Sequence, residues 1–217
     1  MDDDFTNTQE HVYDRDGKLC WLCNHEMSVC IAHHIDAAAS SSLFRFHHYV
    51  TIPSTVTDPF HHDNLIPLCP NCHAAYDAAF PEWVLVTDEK TLQEYINHEK
   101  MDYEQRCMAS VPLPRSLPNL DRRKILYHPL IISHDYHGFL GTRINPPKWP
   151  KSWLGEPTTV IHRAACRGIL EPTPVKQFSF GRGRGRGKWQ TGIPEIFRLL
   201  VTELINHWAK QPPTQKK

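Results

Sequence analysis

The chain has 217 residues, 40% hydrophobic and 22% charged, an ordinary globular composition with room for one generous domain or two small ones. Its 24 Lys+Arg balance its 24 Asp+Glu, yet residues 1–110 carry 6 basic against 18 acidic side chains and residues 111–217 carry 18 against 6. No apolar run approaches the roughly eighteen residues of a membrane span, and Met1-Asp2-Asp3-Asp4 is acidic where a secretory leader is basic, so the expectation is an intracellular protein, nuclear or cytoplasmic, neither secreted nor membrane-bound.

In chain order, residues 1 to about 17 read as a polar lead-in without periodicity, closed by Asp16-Gly17. A first CxxC pair follows, then Val29–Ile35, a short mixed run suited to a strand. Residues 37–59, rich in Ser, Thr and Pro with aromatic and His residues among them, read as a long connection. An apolar stretch resumes at Asn64–Cys69, and Pro70, whose missing N–H costs nothing at a helix start, opens a helix through Cys72, His73, Tyr76 and Asp77 that stops before Pro81. Trp83–Val86 reads as a strand, and Leu92, Tyr95 and Ile96 mark a helix over Thr91–Met108.

Beyond Ser110 prolines accumulate and periodicity fades. Residues 181–188 form a Gly/Arg segment that cannot pack a core, bearing Arg182, Arg184, Arg186 and Lys188. A last helix is predicted over 194–210, with Ile196, Leu200, Val201, Leu204 and Trp208 on a wide apolar face that needs cover from the rest of the chain, a protein partner or a second copy. The predicted organisation is an α+β domain over residues 1–110, its core at 14–80 and a further strand and helix to about 108. An irregular, Pro-rich basic region follows over 111–217, ending in that helix.

Four of the seven cysteines stand in two CxxC pairs, Cys20/Cys23 and Cys69/Cys72, separated by residues 24–68. Two residues between thiolates let the backbone turn so that both sulfurs face one ion, and two such knuckles close a tetrahedral zinc site. Between and beyond the pairs lie His33-His34, Asn64, His73 and Asp77. His73 and Asp77 are four apart, on one helix face, so an imidazole and a carboxylate can reach one divalent ion. A strand-borne His pair opposite them supplies a candidate general base for phosphodiester hydrolysis, with Asn64 pairing backbone to hold strand and helix in register.

The order Cys20-x-x-Cys23, Ala32-His33-His34-Ile35, Asn64-Leu65-Ile66-Pro67-Leu68-Cys69-x-x-Cys72-His73 resembles the zinc-containing HNH endonucleases, and Leu68–Ala78 is similar to HNH domains common in fungal proteomes. The resemblance implies the ββα-metal fold stapled by a structural zinc, one catalytic divalent ion (Mg²⁺, Mn²⁺ or Zn²⁺) and nicking or cleavage of DNA. It implies that Asn64 is the central Asn, His73 a metal ligand, and Asp77 a second helix ligand that some members have as His. Two assignments of the base stay open. The Ala-His-Ile form of the family makes it His33, which the preceding Ala32 favours; the colicin-like form with adjacent histidines makes the first a metal ligand and His34 the base. Asp36 stands where the family usually has Pro, and the loop from Asp36 to Asp63 is long.

The Gly/Arg segment and Arg122-Arg123-Lys124 suit sequence-independent contact with phosphates, a way for an acidic nuclease module to hold nucleic acid. The competing reading is a non-catalytic zinc module that binds nucleic acid or a protein through this basic half.

Overall fold

A computed structural model describes residues 2–26, 28–35, 56, 58–78, 83–131, 149–165, 176–178, 189–191 and 194–210. It opens with a helix, α1 (Asp2–Asp16), where the sequence read as a lead-in. Periodicity missed it because tertiary contacts hold its last turns. Val12 is buried, the Tyr13 hydroxyl donates to the Val29 carbonyl at 2.9 Å, and Arg15 donates to the carbonyls of His62 (2.9 Å) and Leu65 (2.6 Å). Gly17, at φ +83°, ends the helix in the left-handed conformation, its N–H on the Tyr13 carbonyl.

Strands β1 (Cys30–His33) and β2 (Leu65–Leu68) pair antiparallel, Cys30 opposite Leu68 and His33 opposite Leu65. Helix α2 (Pro70–Asp77) follows β2 at once, with Pro70 in its first turn as predicted. Ala32, Ile66 and Leu68 of the hairpin pack against Ala75 and Tyr76 of α2. The order strand, strand, helix is consistent with a ββα arrangement.

The region after Ser110 departs from the expectation of an irregular segment. It supplies β4 (Leu126–Ile131) and β5 (Lys151–Ser152), which join β3 (Trp83–Thr87) in an antiparallel sheet of order β3-β4-β5. It also supplies α4 (Pro157–Ala164). Neither was read from the sequence: β4 contains Pro129, which lies opposite Leu85, and α4 is only eight residues long, with every residue buried, polar ones included. A short ladder pairs β6 (Lys176–Phe178) with β7 (Trp189–Thr191). The basic positions Arg182, Arg184, Arg186 and Lys188 lie outside the described residues.

Strand β3 is buried along its whole length and separates two cores. Trp83 and Leu85 face the ββα unit; Val84 and Val86 face α3 (Glu89–Met108), α4 and α5 (Glu195–Ala209). The apolar face of α5 is covered within the chain, where Leu200, Val201, Leu204 and Trp208 pack with Leu92, Tyr95 and Ile96 of α3. Among the described residues no helix is long and apolar enough to cross a membrane.

Candidate active site

The four cysteines of the two CxxC pairs meet in one buried cluster, their sulfurs within 4.8 Å of one another and Cys23 Sγ 3.7 Å from Cys69 Sγ. A tetrahedral ion with sulfurs at about 2.3 Å sets them ~3.8 Å apart, so the cluster has the dimensions of a four-thiolate metal site. Local structure explains the convergence. The first knuckle turns through Asn24, at φ +56°, whose N–H meets the Cys20 carbonyl, and it is stitched to β2 by the Trp21 N–H on the Pro67 carbonyl at 2.8 Å. The second knuckle is the start of α2, with Cys69 at the N-cap. Trp83 Nε1 donates to the Cys72 carbonyl, and Lys151 Nζ donates to the Trp21 carbonyl (2.8 Å) and to Asn24 Oδ1 (2.7 Å). Burial brings the Lys151 ammonium down to about 8, while the charge of the neighbouring cysteines opposes that shift.

Asn64, fully buried, holds the loop after β1. Its Oδ1 accepts from the Ile35 N–H (2.9 Å), and its Nδ2 donates to the carbonyls of Ile35 (3.0 Å) and Pro59 (2.8 Å). Its own carbonyl accepts from the His34 N–H at 2.9 Å. With three side-chain hydrogen bonds at stake, Asn64→Ala should cost about 3 kcal/mol of stability in urea unfolding, and a loss under about 0.5 kcal/mol would disprove the clamp.

Held this way, His34 lies on the side of the hairpin that faces α2. It is 1% exposed, its Nδ1 is 2.7 Å from the Tyr76 hydroxyl, and its ring meets Trp153 edge-on at 4.6 Å. His33 belongs to the opposite face, half-buried, with its ring edge-on to Phe60 at 5.4 Å. Burial, with the charge of Arg163 next, pushes the His34 imidazole well below its ordinary range. Folded His34 thus stays neutral where the unfolded side chain takes up a proton, so its contribution to stability is present above about pH 6.5 and is lost as acid is added, by up to about 1.4 kcal/mol per pH unit. His34→Gln should remove that component of the slope of unfolding free energy between about pH 6.5 and 5.5. An identical slope in the variant would place the proton uptake elsewhere.

His73 Nε2 and Asp77 Oδ2 lie 2.8 Å apart on the outer face of α2. Arg163 of α4 donates to Asp77 Oδ1 (2.7 Å) and to the Tyr76 carbonyl (2.6 Å), with its guanidinium 4.1 Å over the Tyr76 ring. Burial alone would raise the Asp77 carboxyl, but the hydrogen bond from His73 and the charge of Arg163 outweigh it and hold it below its ordinary value.

The structure thus gathers the cysteines into one set, His34 with Asn64 and α2, and His73 with Asp77. It does not bring His33, His34, His73 and Asp77 into one tight ligand cluster: among the described residues, groups of three or more donors within 4.8 Å are the four cysteines and His61, His62 and Asp63. In the second group the imidazole rings stack at 4.3 Å, and the Asp63 charge is already met by Arg122 at 2.7 Å and Arg15 at 3.7 Å. Arg122, read from sequence as part of a phosphate-binding cluster, bridges Asp63 and Glu156. Tyr76, Trp153 and Arg163 were missed as site residues. The last two come from a segment more than a hundred residues after His34 on which no local pattern bears.

The comparisons with known proteins agree with the motif reading over one stretch: residues 17–80 match a family model described as HNH endonuclease. Neither the curated proteins nor the solved structures gave a match. The matched stretch takes in all four clustered cysteines, the β1–β2 hairpin and α2.

Proposed function

We propose that this chain is a metal-dependent endonuclease that hydrolyses phosphodiester bonds of DNA with low sequence preference, with His34 as general base. The observation that carries this reading is the Asn64 clamp on Ile35, which holds His34 against the helix bearing His73 and Asp77. The match of residues 17–80 to HNH endonucleases points to nuclease chemistry in general and supports it.

The cysteine cluster takes a structural zinc, the ion whose geometry its dimensions suit. His73 and Asp77 offer an imidazole and a carboxylate side by side, 28% and 42% exposed, a donor pair suited to one divalent ion such as Mg²⁺, Mn²⁺ or Zn²⁺. That ion, when bound, polarises the scissile phosphate and stabilises the leaving 3′ oxygen. His34 Nε2 is buried and has no hydrogen-bond partner among the described residues, and an orphaned buried nitrogen calls for a ligand. As base it takes a proton from the attacking water as the new P–O bond forms and the bond to the 3′ oxygen breaks. Arg182, Arg184, Arg186 and Lys188 would hold the DNA backbone by charge alone.

Two observations favour the second reading, a zinc module that binds nucleic acid without cutting it: His34 is almost wholly buried, and Asp77 is already paired with Arg163. Supercoiled plasmid separates the two. Nicking with magnesium or manganese that disappears in His34→Ala supports the nuclease; salt-sensitive binding without nicking under any metal overturns it.

A further inference from the structure

We propose that Lys151 is a positioning residue of the zinc site: its ammonium clasps the first cysteine knuckle and supplies positive charge to the four thiolates that hold the ion. The proposal rests on the structural zinc named above and is independent of the nuclease reading.

The charge balance gives the reason. Thiols that coordinate a zinc ion are deprotonated outright, so four thiolates around one Zn²⁺ leave negative charge in excess. All four cysteines are buried, and buried charge is costly unless it is paired and hydrogen-bonded. The charges of Cys20 and Cys23 act on the Lys151 ammonium and favour its charged form. Such a coupling is reciprocal: the ammonium favours the thiolate form of those two cysteines by the same free energy, and the thiolate is the form that binds the metal.

Lys151 is held where this charge is needed. Its Nζ donates to the Trp21 carbonyl at 2.8 Å and to Asn24 Oδ1 at 2.7 Å, both within the turn that carries Cys20 and Cys23. The rings of Trp149 and Trp21 lie 4.8 and 5.5 Å from the ammonium, and aromatic faces attract a cation. Asn24, at φ +56°, sits in a conformation that residues with a side chain adopt sparingly, so a bond to its side chain helps keep the turn closed. Pairing with Tyr127 of β4 fixes the backbone of Lys151. The second knuckle has a clasp from the same sheet, where Trp83 Nε1 of β3 donates to the Cys72 carbonyl at 3.2 Å. Each edge strand of β3-β4-β5 thus holds one half of the cysteine cluster, and of the two clasps Lys151 is the one that brings charge. Both lie beyond residues 17–80, so the staple draws on chain that the matched stretch does not contain.

The test measures zinc affinity of the full-length chain by competition with a chromophoric chelator. Lys151→Met should bind zinc about 10–100-fold more weakly, the range typical of groups that support metal ligands. Lys151→Arg, which keeps the charge, should hold zinc more tightly than Lys151→Gln, which keeps a donor and loses the charge. Cadmium-113, a soft ion that thiolates bind in place of zinc, should show a resonance that moves in Lys151→Met. Unchanged affinity in Lys151→Met overturns the proposal. So does a Lys151→Gln chain that binds as tightly as Lys151→Arg, and so does a loss of affinity with an unmoved cadmium resonance, which marks general destabilisation. The comparison of Arg with Gln decides even where Lys151→Met fails to fold. A wild-type chain that binds no zinc removes the zinc reading and this proposal together, whereas a zinc-bound wild type with an indifferent Lys151 removes the proposal alone.

Discussion

Replacing Cys72 with serine, or stripping the metal with a strong chelator, should unfold the stretch from the first knuckle to the end of α2 rather than merely loosen it. A structural zinc contributes about 10–16 kcal/mol in small metal-stapled domains, as much as or more than the roughly 5–15 kcal/mol that separates a whole domain from its unfolded state. Here the ion would tie the Cys20–Asn24 turn to the first turn of α2, and with it gone the four buried thiols lose the bonds that join those two turns. Elemental analysis should find at least one equivalent of zinc per chain, and Cys72→Ser should lose it together with helical circular dichroism. Cys30→Ser and Cys107→Ser, outside the cluster, should keep both. A Cys72→Ser protein that retains its zinc and its melting temperature would remove the staple from the account.

The second large effect is on rate. His34→Ala should lower plasmid nicking by about 10²–10⁴-fold, the contribution of a positioned general base, while His33→Ala changes it by less than about tenfold. The asymmetry follows from the faces: His34 meets Tyr76 beside α2, whereas His33 packs on Phe60 across the strand. The reverse ranking would return the base to His33, and wild-type rates in both variants would end the nuclease reading. Circular dichroism and zinc content of each variant exclude unfolding as the cause.

The contrast between the two histidines shows what could be read from residues alone. The cysteine pairs were legible because metal-ligand spacing is local, and α2 because Pro70 and the knuckle fix its start. Asn64 was expected to hold strand and helix in register; its side chain bonds the backbone of Ile35 and Pro59 instead. Which histidine faces the helix was not legible, since it turns on where β1 ends and the chain leaves the strand, and the Ala-His pattern favoured His33. The final helix was found because α5 keeps a wide apolar face, whereas α1 is polar along most of its length. Trp153, Arg163 and Lys151 reach the site and the staple through a fold that pairs β4 with β3, a long-range event with no periodic trace.

The sheet order has a practical consequence. Because β4 is the middle strand, it lies between β3 on one side and β5 on the other. A gene fragment ended near residue 110, the natural cut if the motif is taken for the whole module, would keep the zinc ligands and the histidines. It would also leave Trp83–Thr87, apolar and bare along one edge, without the strand that covers it. Such an edge seeks another strand, and the commonest one in the tube is the same edge of a second fragment. Clumping of that fragment would reflect the missing partner strand and would carry no information about catalysis.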